Sequence, residues 1–124
     1  MQSRHCLLFG ALLGMLAVLL GAFGAHGLEK IVDAQMLQRF NTGVEYQFYH
    51  ALSLLFIGLF MQHRANRWLG YAAYAFLIGV LLFSGGLYSY VLTANPSFAM
   101  ITPIGGITLI IGWLLLLVSV WQYK

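Results

Sequence analysis

Four long apolar runs separated by short polar connectors limit the folds open to this chain more than any other feature. They cover residues 6–25, 43–61, 68–92 and 103–123, and none contains Asp, Lys or Arg. A helix needs about 20 apolar residues to cross a hydrocarbon core roughly 30 Å thick, and each run is about that long. The sequence therefore predicts an all-α integral membrane bundle of four transmembrane helices, forming a single membrane domain over residues 1–124.

The composition excludes a soluble domain and gives no support to nucleic-acid binding. Hydrophobic residues make up 61% of the chain and charged residues 7%, whereas a soluble domain carries about 25% charged residues. The net charge of +3 comes from basic residues scattered over separate polar segments, so they form no continuous patch. The expected partners are the lipid bilayer and either a second copy of the chain or another membrane protein, with no nucleic acid.

The distribution of charge predicts the orientation of the four spans. One side of the membrane receives basic residues without acidic ones: Arg4, Arg64, Arg67 and Lys124. The other side receives Lys30 and Arg39 together with all three acidic residues, Glu29, Asp33 and Glu45. The positive-inside rule then places both termini in the cytoplasm. The first run also resembles a signal peptide, but it exceeds the usual 7–15 apolar residues.

Small residues recur at helical spacing in the first and fourth runs. In lipid, helices associate by close van der Waals contact, and stripes of small residues mark the places where two backbones approach. The expected packing residues are Gly10, Gly14, Gly21, Gly24, Gly105 and Gly112. Aromatic residues mostly near the span ends are expected to form an interfacial belt, as aromatic rings do at membrane surfaces: Trp68, Trp113, Trp121 and Tyr123.

The connector between the first two runs has a pattern of its own. Residues 28–40 alternate apolar and polar side chains at helical spacing, which predicts a short amphipathic helix lying on the outer membrane surface. Asn41, Thr42 and Gly43 are expected to break this helix. Thr42 and Glu45 then match a capping box, in which the Glu side chain satisfies a free backbone N–H at the start of the next helix.

Polar side chains converge near the predicted outer ends of the spans. Tyr46, Tyr49 and His50 share one face of the second span, at about 100° of rotation per residue. An alternating topology brings His26 and Tyr88, at the ends of the first and third spans, to the same side. The predicted polar cluster is His26, Glu45, Tyr46, Tyr49, His50 and Tyr88. Polar groups in a bilayer are costly, so this cluster either fixes the fold through interhelical hydrogen bonds or forms a binding site.

The sequence gives little support to a metal site, a haem site, a proton-coupled transporter or an enzyme. His26, His50 and Glu45 could supply metal ligands, but their spacing matches no ligand motif. His50 and His63, as haem ligands, would point to different sides of one helix. A proton-coupled transporter would need His50 as its carrier, because Glu45 lies at a helix end. Since no hydrolase or nucleotide-binding motif occurs either, we expect no catalytic residues, metal or cofactor.

Five segments carry a resemblance to a known family. They are Gly21–Gly27, Tyr46–Leu52, Phe83–Tyr88, Ile101–Gly106 and Gly112–Trp113. In matching order and spacing, over nearly the whole chain, they resemble the domain-of-unknown-function 423 family of small membrane proteins. The resemblance implies a multi-pass bacterial inner-membrane protein, and it supplies no catalytic residues.

These observations favour a non-enzymatic structural or binding membrane protein. The alternative is a small transporter or channel component in which His26, Glu45 and His50 line a polar entrance. An enzyme or a haem or metal protein is the third interpretation. Replacing His50 with Phe separates the first two, since a structural role predicts a loss of stability and a transport role predicts a loss of flux.

Overall fold

The computed structural model describes residues 1–123 and consists of four long antiparallel helices. These are α1 (Ser3–His26), α2 (Ala34–His63), α3 (Arg67–Thr93) and α4 (Thr102–Trp121). Short 3-10 helices at Leu28–Lys30 and Pro96–Met100 lie in two of the connections. All four long helices are long and apolar enough to cross a membrane, which confirms the predicted all-α bundle. Lys124, part of the predicted basic side, lies outside the described residues.

The helices pack in chain order, α1 on α2, α2 on α3 and α3 on α4. The hydroxyl of Ser3 donates to the carbonyl oxygen of Gly58 at 2.7 Å, joining the start of α1 to the end of α2. The amide of Asn66, before α3, donates to the hydroxyl of Ser119 near the end of α4 at 2.9 Å. These four helix ends therefore lie together. We call this end, which carries Arg4, Arg64 and Arg67, the basic end.

The connector between α1 and α2 differs from the predicted amphipathic helix over residues 28–40. Leu28–Lys30 forms a single 3-10 turn, and residues 34–40 are instead the first two turns of α2. Asp33 starts α2 early because its side chain accepts a hydrogen bond from the backbone N–H of Met36 at 2.8 Å. Leu28 and Phe40 hold this segment against the bundle, since both side chains are fully buried in one hydrophobic cluster.

The capping role predicted for Glu45 is wrong. Asn41, Thr42 and Gly43 do not break α2, which runs through them without interruption. The hydroxyl of Thr42 donates to the carbonyl oxygen of Gln38, four residues earlier in the same helix, at 3.0 Å. Glu45 is exposed on the helix surface, more than two turns from the capped start of α2.

Among the glycines, Gly105 lies closest to a neighbouring helix, at the contact of α4 with α3. A Cβ atom at Gly105 would overlap the backbone nitrogen of Phe83 and lie 2.7 Å from its Cα atom. About two turns further along α4, a Cβ at Gly112 would lie 2.6 Å from the ring of Phe76. Real Cβ atoms are not found this close to other heavy atoms, so only glycine fits at either position.

The predicted small-residue stripe of α1 faces α2. A Cβ at Gly10 would lie 2.9 Å from the carbonyl oxygen of Ala51, and one at Gly24 would lie 3.1 Å from the side chain of Asn41. The contacts are looser at Gly14, where the nearest atom is at 3.9 Å, and at Gly21, where it is at 3.4 Å. Of these four positions, only Gly10 lies against the backbone of α2, and the other three face side chains.

Candidate functional site

A histidine and a tryptophan on different helices form the first part of the candidate site. The indole N–H of Trp113 on α4 donates to Nε2 of His50 on α2 at 3.0 Å. The other ring nitrogen, Nδ1, lies 2.7 Å from the carbonyl oxygen of Tyr46. Because an indole nitrogen can only donate and a carbonyl oxygen can only accept, the proton of His50 is on Nδ1 and the ring is neutral.

Aromatic rings surround this pair. The ring of Phe76 on α3 lies 5.2 Å from His50 and 5.0 Å from Trp113, measured between centroids. The ring of Tyr46 stacks on His50 at 6.3 Å and contacts Phe83 at 4.8 Å. His50 is 4% exposed, so the hydrogen bonds that use both ring nitrogens lie within packed side chains. These contacts fix the orientation of the imidazole.

The second part of the site is a buried glutamine that links three helices. The amide nitrogen of Gln47 on α2 donates to the carbonyl oxygen of Leu13 on α1 at 2.8 Å. Its side-chain oxygen accepts from the hydroxyl of Tyr88 on α3 at 2.7 Å. Gln47 is 4% exposed and lies close to the middle of the 30-residue α2. One side chain therefore cross-links α1, α2 and α3 inside the bundle.

A further hydrogen bond joins α2 and α3 one turn away. The hydroxyl of Ser84 donates to the carbonyl oxygen of Gly43 at 2.6 Å, and both residues are buried. Gly43 also makes room for Tyr88, because a Cβ there would lie 2.7 Å from Cε1 of the tyrosine ring. Glycine at this position thus lets Tyr88 reach Gln47.

The structure brings together only three of the six residues of the predicted polar cluster, since Tyr46 contacts both Tyr49 and His50. His50 and Tyr88 make partly buried interhelical hydrogen bonds, but to different partners. His26, at the end of α1, is exposed, as are Glu45 and Tyr49. Tyr46 contributes its backbone oxygen and its ring, with 39% of its surface exposed. Within residues 1–123 no direct hydrogen bond joins any two of His26, Glu45, His50 and Tyr88.

The same separation bears on metal binding. The two histidines and the carboxylate considered as ligands, His26, His50 and Glu45, do not come together in the part of the chain that the structure describes. Both nitrogens of His50 are already used in hydrogen bonds.

Sequence reasoning missed the most connected residues of this site. Gln47 lies on the inward face of α2, whose buried positions follow a helical repeat: Phe40, Gly43, Gln47, His50, Ala51, Leu54, Ile57 and Gly58. That repeat could have identified Gln47 as an inward amide. Trp113 was expected in the interfacial belt, but it lies near the middle of α4. Its role depends on how α4 is rotated against α2, which its own neighbours in sequence do not indicate.

The hydrogen bonds of this site join neighbouring helices. Its members are neutral amide, imidazole, indole and hydroxyl groups, and each buried polar side chain on α2 has its partner inside the bundle. Within residues 1–123, the one buried side-chain polar atom without a hydrogen-bond partner is the hydroxyl oxygen of Thr102, at the start of α4.

Comparison with known proteins gives a consistent result along the whole chain. The sequence model of a family described as "Protein of unknown function (DUF423)" matches residues 20–106. The UPF0382 inner membrane protein YgdD of Escherichia coli K12 is 40% identical over 124 residues, covering 100% of this chain and 95% of its own.

Relatives from other bacteria show the same level of similarity. A UPF0382 membrane protein of Haemophilus influenzae is 41% identical over 114 residues, covering 92% of this chain and 90% of its own. Another from Staphylococcus aureus is 40% identical over 119 residues, covering 94% and 95%. No solved structure matches the chain. The matched segment contains Gln47, His50, Ser84 and Tyr88, whereas Trp113 lies beyond it.

Proposed function

The chain belongs to the DUF423 family of membrane proteins, and from that premise we propose that it is a non-enzymatic structural or binding protein of the bacterial inner membrane. Its buried polar residues hold four helices in one fixed arrangement, and its exposed surface is what other membrane components contact. We assign no catalytic residue, metal or cofactor to it.

One observation carries this proposal. The polar side chains at mid-bundle are satisfied by one another and by backbone oxygens, in bonds of 2.6–3.0 Å that run between helices. A transport path needs polar groups that exchange partners with a passing solute, and a catalytic site needs a group free to react. Neutral, paired groups in a bilayer serve helix association, at about 0.6–1.7 kcal/mol for each interhelical bond.

Replacing His50 with Phe tests this role. The variant loses the bond from Trp113, and we expect the free energy of unfolding to fall by about 0.6–1.7 kcal/mol. Trp113→Phe should cost a similar amount, and the double variant little more than either single one, because all three changes remove the same bond. The measurement is unfolding of the protein in mixed micelles by increasing SDS, followed by circular dichroism.

The matched control is His26→Phe. His26 is exposed and was predicted to join the same cluster, so this change should alter stability by less than about 0.5 kcal/mol. Proteoliposomes containing a pH-sensitive dye test the transport alternative directly. A proton flux above that of protein-free liposomes, lost in His50→Phe while the fold is retained, would contradict the proposal and support a transporter.

We further propose that both termini are cytoplasmic. The basic end carries Arg4, Arg64 and Arg67, and the positive-inside rule favours the cytoplasm for that end. In a Cys6→Ala background, a cysteine at Ser97 should react with an impermeant thiol reagent in spheroplasts, and one at Ala65 should react only after lysis. Both positions are exposed, so accessibility reports the side of the membrane. The reverse pattern would invert the topology.

A further inference from the structure

An open cavity of about 560 Å³ lies at the basic end, between the start of α1 and the start of α3. Its mouth is lined by polar side chains that include Gln2, Asn66 and Arg67. Further into α3 the lining changes to Gly70, Tyr71 and Tyr74, and both tyrosines are 50% exposed. The cavity is therefore polar and cationic at the surface and aromatic and apolar on the membrane side.

Among the described residues, no acidic side chain lies near the positive charge of Arg67 at this mouth. All three acidic residues of the chain, Glu29, Asp33 and Glu45, belong to the first connector and the first half of α2, at the opposite end of the bundle. The guanidinium carbon of Arg67 lies 5.3 Å from the ring centroid of Trp68, and the residue is exposed. An anion entering the cavity would meet this guanidinium without competing with an acidic side chain.

A second cavity lies further along the same side of the bundle. It has a volume of about 280 Å³ and is lined by Leu13, Leu16 and Leu20 of α1 and by Val80 and Leu81 of α3. α1 and α3 both pack on α2 rather than closely on each other, and residues of both helices line each of the two cavities. We therefore infer that the cavities lie along one cleft between α1 and α3. Tyr71 and Leu81 are ten residues apart on α3, which is about 15 Å of helix.

We propose that this cleft binds one anionic phospholipid. Its phosphate lies at Arg67 in the first cavity, and one acyl chain follows α3 towards the leucines of the second cavity. About 15 Å is half of a hydrocarbon core roughly 30 Å thick, so the stretch of α3 from Tyr71 to Leu81 matches the depth of one leaflet. Basic pockets between transmembrane helices suit lipid head groups of this charge. Gln47 also lines the second cavity, but this proposal uses none of its hydrogen bonds.

The test compares two variants that lose the same charge. The protein in neutral detergent is titrated with dioleoylphosphatidylglycerol, and the rise in its thermal unfolding temperature gives the apparent affinity. We expect Arg67→Gln to weaken binding about fivefold. Arg4→Gln removes a charge from the same end but from outside the cavity, so it should leave the affinity within about twofold. Dioleoylphosphatidylcholine should give a much smaller shift with the unaltered protein.

Filling the cavity gives an independent test without changing the charge. A Cβ at Gly70 would meet no atom closer than the Met1 nitrogen at 3.9 Å, so a larger side chain fits and projects into the space. Gly70→Leu should therefore keep the helical circular dichroism spectrum and lose the phosphatidylglycerol-specific shift. Equal effects of Arg67→Gln and Arg4→Gln would overturn the proposal, since they indicate diffuse attraction. An equal rise in the thermal unfolding temperature with inorganic phosphate would also overturn the proposal, because the cavity would then bind an anion without an acyl chain.

Discussion

Gly105→Ala should lower the free energy of unfolding more than any other substitution that adds a single methyl group to this protein. A Cβ at Gly105 would overlap the backbone nitrogen of Phe83 and lie 2.8 Å from the carbonyl carbon of Leu82. Those atoms belong to the α3 backbone and cannot move aside as a side chain can, so α3 and α4 must separate along their length. Overpacking of this kind costs roughly 1–3 kcal/mol, and we expect about 3 kcal/mol or more here.

The next residue supplies the matched control. A Cβ at Gly106 would lie 3.6 Å from Cδ2 of Phe83, an ordinary contact distance. Alanine is favoured over glycine in a helix by up to about 1 kcal/mol, so Gly106→Ala should leave the protein equally stable or slightly more stable. SDS titration of the two variants in parallel measures the difference. Similar free energies of unfolding for both would mean that α3 and α4 are not in backbone contact at this point.

The helices themselves were predictable because their cause is local. A run such as 68–92 is apolar over the thickness of a membrane, and the structure has α3 at Arg67–Thr93. The start of α2 was not predictable in this way, because it depends on which of several polar residues caps the helix. Asp33 and Thr42 are both suitable caps by residue type. Asp33 serves because Leu28 and Phe40 bury their side chains together, which holds the preceding turn in place.

The candidate site was only partly predictable for a related reason. Helical periodicity placed His50 on a polar face, but it did not identify Trp113 as the partner on α4. The distance of 3.0 Å between their nitrogens depends on the rotation of two helices that are separated by more than 60 residues of sequence. That rotation is set by close contacts elsewhere, such as Gly112 against the ring of Phe76. Helix faces can be inferred from a sequence more readily than the pairing of those faces.

Gln47→Leu should have the second largest effect on stability, because it removes an α2 side chain that is hydrogen-bonded to both α1 and α3. The substitution deletes the bond to the carbonyl oxygen of Leu13 and the bond from the hydroxyl of Tyr88. The Leu13 oxygen still accepts its bond within α1, but the partly buried Tyr88 hydroxyl loses the acceptor to which it donates at 2.7 Å. At about 0.6–1.7 kcal/mol for each interhelical bond, we expect a loss of about 1–3 kcal/mol. SDS titration measures it.

A double-mutant cycle shows whether the loss comes from the network. Tyr88→Phe removes one of the two bonds, so we expect about half the cost of Gln47→Leu, and the two changes combined should cost clearly less than their sum. Gln38→Leu is the control, since Gln38 is exposed on the same helix and its substitution should change stability by less than about 0.5 kcal/mol. Strict additivity of Gln47→Leu and Tyr88→Phe would show that the two side chains are not bonded. The polar layer of α2 would then be a set of independent contacts, and the cohesion attributed to Gln47 would have to come from the glycine contacts between neighbouring helices.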